Sequence, residues 1–273
     1  MEKQDGLSLL LVSCDSYMDI AKVFGASAMK YWPDCPYRKY LLTESGEGYG
    51  LDAPRFFDVI LKAGRGKSWS DCLLYAMKEI PTRHVLVMLD DFILSAPVDG
   101  SKMDAAYRIA CKKDAAIFKL SPRDFRGGGK EWDGGLSYSE VLKEEPYRVS
   151  VNPPAVWDSL FVESLLEGRS VSAWDFERQG TVWARDIHQT VWRLSEEPIF
   201  SFFDPTGDGA VARGRLVKGF RDFCESEGFL LETARADMTW KDGARKAIKG
   251  FIYRMNPALI LRIQQWLFEM RNA

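Results

Sequence analysis

Residues 84–94, HVLVMLDDFIL, place five consecutive apolar side chains, Val85 to Leu89, directly ahead of two aspartates. A continuous run of this length suits a strand covered on both faces, as in a parallel sheet packed between helices. Just upstream, Trp69, Cys72, Leu73, Ala76 and Ile80 recur at three- and four-residue spacing, which predicts a helix with one buried face that Pro81 closes. Further back, Leu7–Val12 reads as a first strand that leads through SCDS into an amphipathic stretch ending near Tyr31. Short apolar runs at Tyr40–Thr43 and Phe56–Leu61 end in the Gly-containing loops SGEGYG and KAGRGKS. Strands alternating with helices over about 120 residues imply an α/β fold: a mostly parallel, Rossmann-like sheet with right-handed crossovers, flanked by helices. Ligands of such a sheet bind at the carboxyl ends of its strands, where Asp90 and Asp91 stand.

Beyond residue 120 the pattern loosens into the Gly-rich RDFRGGGKEWDGG, a strand-like RVSVN and a helix-like AVWDSLFVESLL. We expect this half to complete the sheet and to form the other wall of a cleft. That divides the chain into a catalytic domain over 1–240, with halves 1–120 and 121–240, and a basic C-terminal extension over 241–273. The extension carries Lys241, Arg245, Lys246, Lys249, Arg254, Arg262 and Arg271 against Asp242 and Glu269. Two amphipathic helices split near Asn256-Pro257 are expected there. Either they pack on the catalytic domain, or residues 244–271 make peripheral contact with anionic lipid.

A net charge of -2 over 273 residues argues against a nucleic-acid partner, which calls for a large basic excess. The five cysteines are scattered without a CxxC pair, so they read as reduced thiols of a cytoplasmic protein rather than a disulfide framework or zinc cluster. The opening MEKQDGLSLLLVSC is too short in apolar residues for a signal peptide, and no run approaches the roughly 20 that span a bilayer.

Paired carboxylates at the end of a buried strand are costly to desolvate unless they hold a cation or a hydrogen-bond network. Magnesium or manganese would meet that need while sharing its coordination with substrate phosphates. The competing reading has both aspartates capping the turn that follows.

With SCDSY after the first strand, the helix SWSDCLLYAMKEI, the strand VLVMLDDF with a DxD-like motif, and WDFE some eighty residues later, the chain resembles the GT-A superfamily of glycosyltransferases. Within it, the chain is most similar to the small bacterial transferases of surface-polysaccharide and lipopolysaccharide synthesis. The resemblance covers about the first 180 residues. It implies a nucleotide-sugar donor, a saccharide or lipid-linked saccharide acceptor and a divalent cation, Mn2+ or Mg2+. Ser13 and Asp15 match the nucleoside-binding positions. Asp91 matches the metal-binding last acid of DxD, with Asp90 assisting or contacting the donor, and Leu89 stands where the first acid falls. Ser172–Glu177, SAWDFE, matches the acceptor side, where a carboxylate deprotonates the acceptor hydroxyl in inverting enzymes. Reach admits only one of Asp175 and Glu177 as that base, and we favour Glu177. On a strand the two would share a face; on a helix they would not. Read locally, the same segment is a capped helix start. Trp174, beside the base, is the candidate for stacking on an acceptor sugar.

Lys67 and the group Arg213, Arg215 and Lys218 offer positive charge for the departing diphosphate, or are simply solvated. Gly66-Lys67-Ser68 also suggests a P-loop NTPase, but that motif needs glycine at Leu61 and more chain before the acidic strand end. His84 and His188, with no GxSxG elbow, give little support to a serine hydrolase. A non-catalytic carbohydrate-binding or scaffold protein on the same fold is the third class of reading.

Overall fold

Alternate residues of the first strand, β1 (Gln4–Val12), enter two different cores: Leu7, Leu9 and Leu11 one, Leu10 and Val12 the other. β4 (Thr82–Leu89) divides the same way, with Leu86 and Met88 on one face and Val85 and Val87 on the other. Side chains of a strand point alternately up and down, so a run apolar at every position requires a helical layer on each side. In this computed structural model, which describes residues 3–50, 53–122, 129–185, 187–205, 209–239, 266 and 270, both layers are present. One holds α1 (Met18–Tyr31), α3 (Gly100–Lys112) and α6 (Phe220–Glu227); the other holds α2 (Trp69–Glu79), α4 (Ser159–Leu166) and α5 (Ala173–Trp183).

The remaining strands of the large sheet are β2 (Arg38–Thr43), β3 (Val59–Lys62), β5 (Ile117–Lys119), β6 (Glu131–Asp133), β7 (Leu136–Glu140), β8 (Ala155–Asp158) and β9 (Val191–Leu194). They form nine strands in the order β3-β2-β1-β4-β8-β5-β9-β7-β6. β3, β2, β1 and β4 run parallel. β8 lies antiparallel between β4 and β5, β9 is parallel to β5, and β7 is antiparallel to β9. The result is the expected α/β architecture, a mostly parallel sheet flanked by helices. Strands from before and after residue 120 interleave in it, so the two halves share one sheet. A small hairpin, β10 (Val211–Ala212) with β11 (Arg215–Leu216), lies beside it.

The second half departs from the sequence reading at three places. AVWDSLFVESLL is not one helix: Ala155–Asp158 is a strand buried on both faces, and Asp158 caps α4 by accepting the Leu160 amide at 2.9 Å. RVSVN is a loop rather than a strand, ending in a cis Asn152–Pro153 bond, and its Val149 and Val151 amides donate to the side chains of Thr181 and Glu177 instead of to a ladder. In GGGKEWDGG, Glu131–Asp133 pairs with β7 as a hairpin, turned by Gly134 and Gly135 at φ 55° and 78°. The predicted helical pair beyond residue 240, with its membrane-contact segment 244–271, lies outside the described residues apart from Trp266 and Met270, which are helical and exposed. No helix among the described residues is long and apolar enough to cross a membrane.

Candidate active site

β1 is flanked by β2 on one side and β4 on the other, so the chain leaves it in opposite directions and a crevice opens at the carboxyl ends of β1 and β4. The register pairs Val12 with Leu89, which sets the next residues, Ser13 and Asp90, side by side. The Ser13 hydroxyl donates to Asp90 Oδ2 at 2.5 Å across 77 residues of sequence. Asp90 and Asp91 are the two central residues of a turn closed by the Phe92 amide on the Leu89 carbonyl at 3.2 Å. The two aspartates therefore form the turn that follows β4, with the Asp90 carboxylate engaged by Ser13.

Asp90 is 8% exposed, and burial raises its carboxyl to about 7, against the opposing pull of the Ser13 hydroxyl and the Arg235 charge. A cation bound beside it would favour its ionised form. Asp91 is half-buried under the segment that enters the small hairpin, whose Ala210 amide donates to the Asp91 carbonyl at 3.0 Å. Gly209, at φ 75°, packs so closely that a Cβ would lie 2.8 Å from Asp91 Oδ2 and 2.9 Å from its Cγ. Gly209→Ala is accordingly expected to destabilise the protein by roughly 2 kcal/mol, through left-handed backbone strain and displacement of Asp91. A denaturant titration checks this; a change below about 0.5 kcal/mol would show that the contact yields.

One or two carboxylates suit a magnesium or manganese ion that takes its remaining ligands from substrate phosphates and water. No cluster of three or more His, Cys, Asp or Glu able to hold a metal occurs among the described residues. Asp90 and Asp91 alone could hold such an ion only together with ligands from outside the protein.

Asp15 joins the loops after β1 and β2. It accepts from the Thr43 and Ser45 hydroxyls, each at 2.5 Å, and from the Ser45 and Gly46 amides at 3.0 and 3.3 Å. Burial pushes its carboxyl upward, but the hydrogen bonds from Ser45, Thr43 and Gly46 outweigh this and hold it at about 2. Its folded value lies below the unfolded 3.8, so the stabilisation is full above about pH 4 and is lost as pH falls through 2. Asp15→Asn is expected to cost about 1–2 kcal/mol at pH 7 and almost nothing at pH 2. Unfolding curves of both proteins that stay parallel from pH 7 to 2 would contradict that assignment.

SAWDFE begins a helix. Ser172 caps α5, its hydroxyl accepting the Asp175 amide at 3.2 Å and donating to Asp175 Oδ2 at 2.7 Å, while Arg178 pairs with Asp175 at 3.3 Å. On a helix Asp175 and Glu177 do not share a face. Asp175 is engaged at the helix start, whereas Glu177 Oε1 accepts the Val151 amide at 2.8 Å. The loop holding Val151 runs into β8, next to β4, so Glu177 stands at the same sheet edge as Asp90. Trp174 is 70% exposed on the first turn of α5.

The other expected cations, Lys67 and Arg215, are exposed. The Lys67 ammonium is 5.4 Å from the Tyr75 ring centre. Ser68 caps α2 through the Asp71 amide, so this turn serves as a helix start. Arg215 is exposed on β11, with Nη1 3.5 Å from the Asp237 carbonyl. Two further positive groups, which the sequence reading did not single out, are more deeply buried. Arg235 stacks over Tyr17 at 3.9 Å, and its charge acts on Asp90. Lys119, fully buried at the end of β5, donates to Ser150 Oγ at 2.7 Å and to the Tyr147 carbonyl at 3.2 Å. A lysine inside the apolar run AIFKL was a legible signal for a buried network; Arg235 had none.

No family model matches the chain, and no curated protein matches it. Among solved structures it is similar to the bifunctional IspDF of Campylobacter jejuni at 10% identity and a TM-score of 0.44, over 75% of this chain and 53% of that one. It is also similar to S. aureus TarS residues 1–349 in complex with UDP, at 11% identity and a TM-score of 0.44, over 73% of this chain and 60% of that one. A nucleotidyl transferase from Methanothermobacter, Mth528, matches at 11% identity and a TM-score of 0.43, over 71% of this chain and 89% of its own. The chain thus spans about half the length of IspDF.

Proposed function

We propose that this protein is a nucleotide-sugar-dependent, inverting glycosyltransferase of bacterial surface-polysaccharide or lipopolysaccharide synthesis. The observation that carries the reading is the Ser13–Asp90 pair, with Asp91 beside it, at the crevice between β1 and β4. In this reading the catalytic domain spans 1–240, and the protein works in the cytoplasm, with residues 244–271 as a peripheral membrane contact. Ser13 and Asp15 position the nucleoside, Asp15 chiefly by fixing the loops after β1 and β2. Asp91, assisted by Asp90, would hold Mn2+ or Mg2+, which when bound neutralises charge on the departing diphosphate. Lys67 and Arg215 would contribute positive charge.

Glu177 takes the proton of the acceptor hydroxyl as that oxygen bonds to the anomeric carbon. The bond from that carbon to the donor phosphate breaks, and the nucleoside diphosphate leaves with the electron pair. Attack from the face opposite the leaving group inverts the configuration. The Val151 amide holds one Glu177 oxygen and so orients the carboxylate. Asp175, drawn into the cap of α5, supports the helix start, and Trp174 offers its exposed ring to a saccharide or lipid-linked saccharide acceptor.

A thermal-shift and calorimetric screen against UDP-, GDP-, CDP- and CMP-sugars, with and without manganese, tests the reading. Stabilisation by one nucleotide class that grows with manganese is expected. Silence toward all four, with stabilisation by ATP alone, would replace the transferase with an NTPase; silence toward everything would leave a scaffold.

A further inference from the structure

Arg235 belongs to the extended segment after α6 and reaches back 216 residues to Asp19 in the first turn of α1. Its side chain is 13% exposed. Nε donates to Asp19 Oδ2 at 2.9 Å, Nη2 to Asp19 Oδ1 at 3.3 Å and to the Ser16 carbonyl, and Nη1 to the Gly214 carbonyl at 3.3 Å. Its flat face covers Tyr17 at 3.9 Å. One planar fork therefore grips the turn after β1, the start of α1 and the tip of the small hairpin, a task that suits arginine and not lysine.

Each gripped segment is also tied to the crevice. Ser16 lies three residues beyond Ser13. The hairpin is joined to the Asp91 carbonyl through the Ala210 amide, and the Val217 amide returns to the Ala210 carbonyl at 3.0 Å. Immediately after Arg235 the chain pairs with β11, the Leu216 amide donating to Ala236 at 3.0 Å and the Met238 amide to Leu216 at 2.8 Å. Burying a guanidinium is expensive, and the expense is met here by donors aimed at three separate segments that all border the two aspartates.

We infer that Arg235 is a positioning residue of the donor site, fixing the turn after β1 and the β10–β11 hairpin at the separation that admits a nucleoside diphosphate. This rests on the nucleotide-sugar reading above. The residue acts through the segments it holds.

Calorimetric titration of the full chain with UDP, GDP and CDP, well below the unfolding midpoint, tests it. Arg235→Met is expected to weaken the nucleotide that the unaltered protein binds by roughly 10- to 100-fold. Arg235→Lys, which keeps the charge, is expected to recover part of the loss. Asp19→Asn keeps its size and removes the partner charge, so it should reproduce the weakening even if the methionine variant fails to fold. Lys30→Ala breaks another link between α1 and the C-terminal part, the 2.8 Å pair with Glu227, and serves as the stability control; it should bind as the unaltered protein does. Unchanged affinity in Arg235→Met or Asp19→Asn would overturn the inference, as would weakening that merely tracks lost thermal stability in all variants, Lys30→Ala included. If the unaltered protein binds none of the three nucleotides, its donor is not a nucleoside diphosphate sugar and this inference falls with that part of the reading.

Discussion

Asp91→Asn is expected to lower sugar transfer, or donor hydrolysis in the absence of acceptor, by about 100- to 1000-fold, and to abolish the extra stabilisation that manganese lends to nucleotide binding. Asparagine keeps the shape of the side chain under Gly209, where a Cβ would have no room, so the packing at that glycine is preserved. What disappears is the negative charge that attracts a dication. The unfolding midpoint without ligand should move little, equivalent to less than about 1 kcal/mol, because no volume changes. Gly209→Ala leaves the charge and disturbs its position, so the two variants separate charge from placement. If Asp91→Asn kept full activity and full manganese response, the metal would have to be held elsewhere or play no part.

Lys119→Ala should be the most destabilising of these substitutions, by about 3 kcal/mol, or roughly 8 °C in midpoint for a chain of this size. The ammonium is fully buried, and it gathers Ser150 and the Tyr147 carbonyl at the root of the 147–152 loop. Ser150 Oγ lies 2.8 Å from the Asn152 carbonyl, and the Thr181 hydroxyl accepts the Val149 amide at 3.1 Å, so the loop is knotted onto β5 and α5 together. Removing the lysine leaves a cavity and under-satisfied polar atoms. The Val151 amide that orients Glu177 belongs to the same loop, so turnover should fall more than donor affinity does. Lys119→Met, which refills the volume, should recover part of the stability and little of the turnover. Equal recovery of both would detach the loop from the acceptor base.

The elements read most directly from sequence are those whose local pattern has a single physical solution. Ser68-Trp-Ser-Asp71 is a capping box ahead of a 3.6-residue period, and it forms the start of α2 as expected. AVWDSLFVESLL was ambiguous because a short apolar run fits a buried strand or a buried helix equally well. Trp157, fully buried between two neighbouring strands, and Asp158, spent as a cap, settled it. Phe56 and Phe57 likewise read as strand but precede β3, where Phe57 stacks on Phe24 and Phe56 meets it edge-on instead.

By itself the sequence determined the layered α/β sheet and the position of Asp90 and Asp91 at a carboxyl strand end, because runs apolar at every residue can be buried only between two helical layers. The tertiary structure alone decided what surrounds those acids and the candidate base: Ser13 meets Asp90 through the β1–β4 register, Gly209 packs on Asp91 through the hairpin, Arg235 ties the segment after α6 to Asp19, and Val151 holds Glu177 through the loop before β8. Such contacts join residues up to some two hundred positions apart. They follow from how crossovers place strand ends side by side, and no local period in the chain encodes that placement.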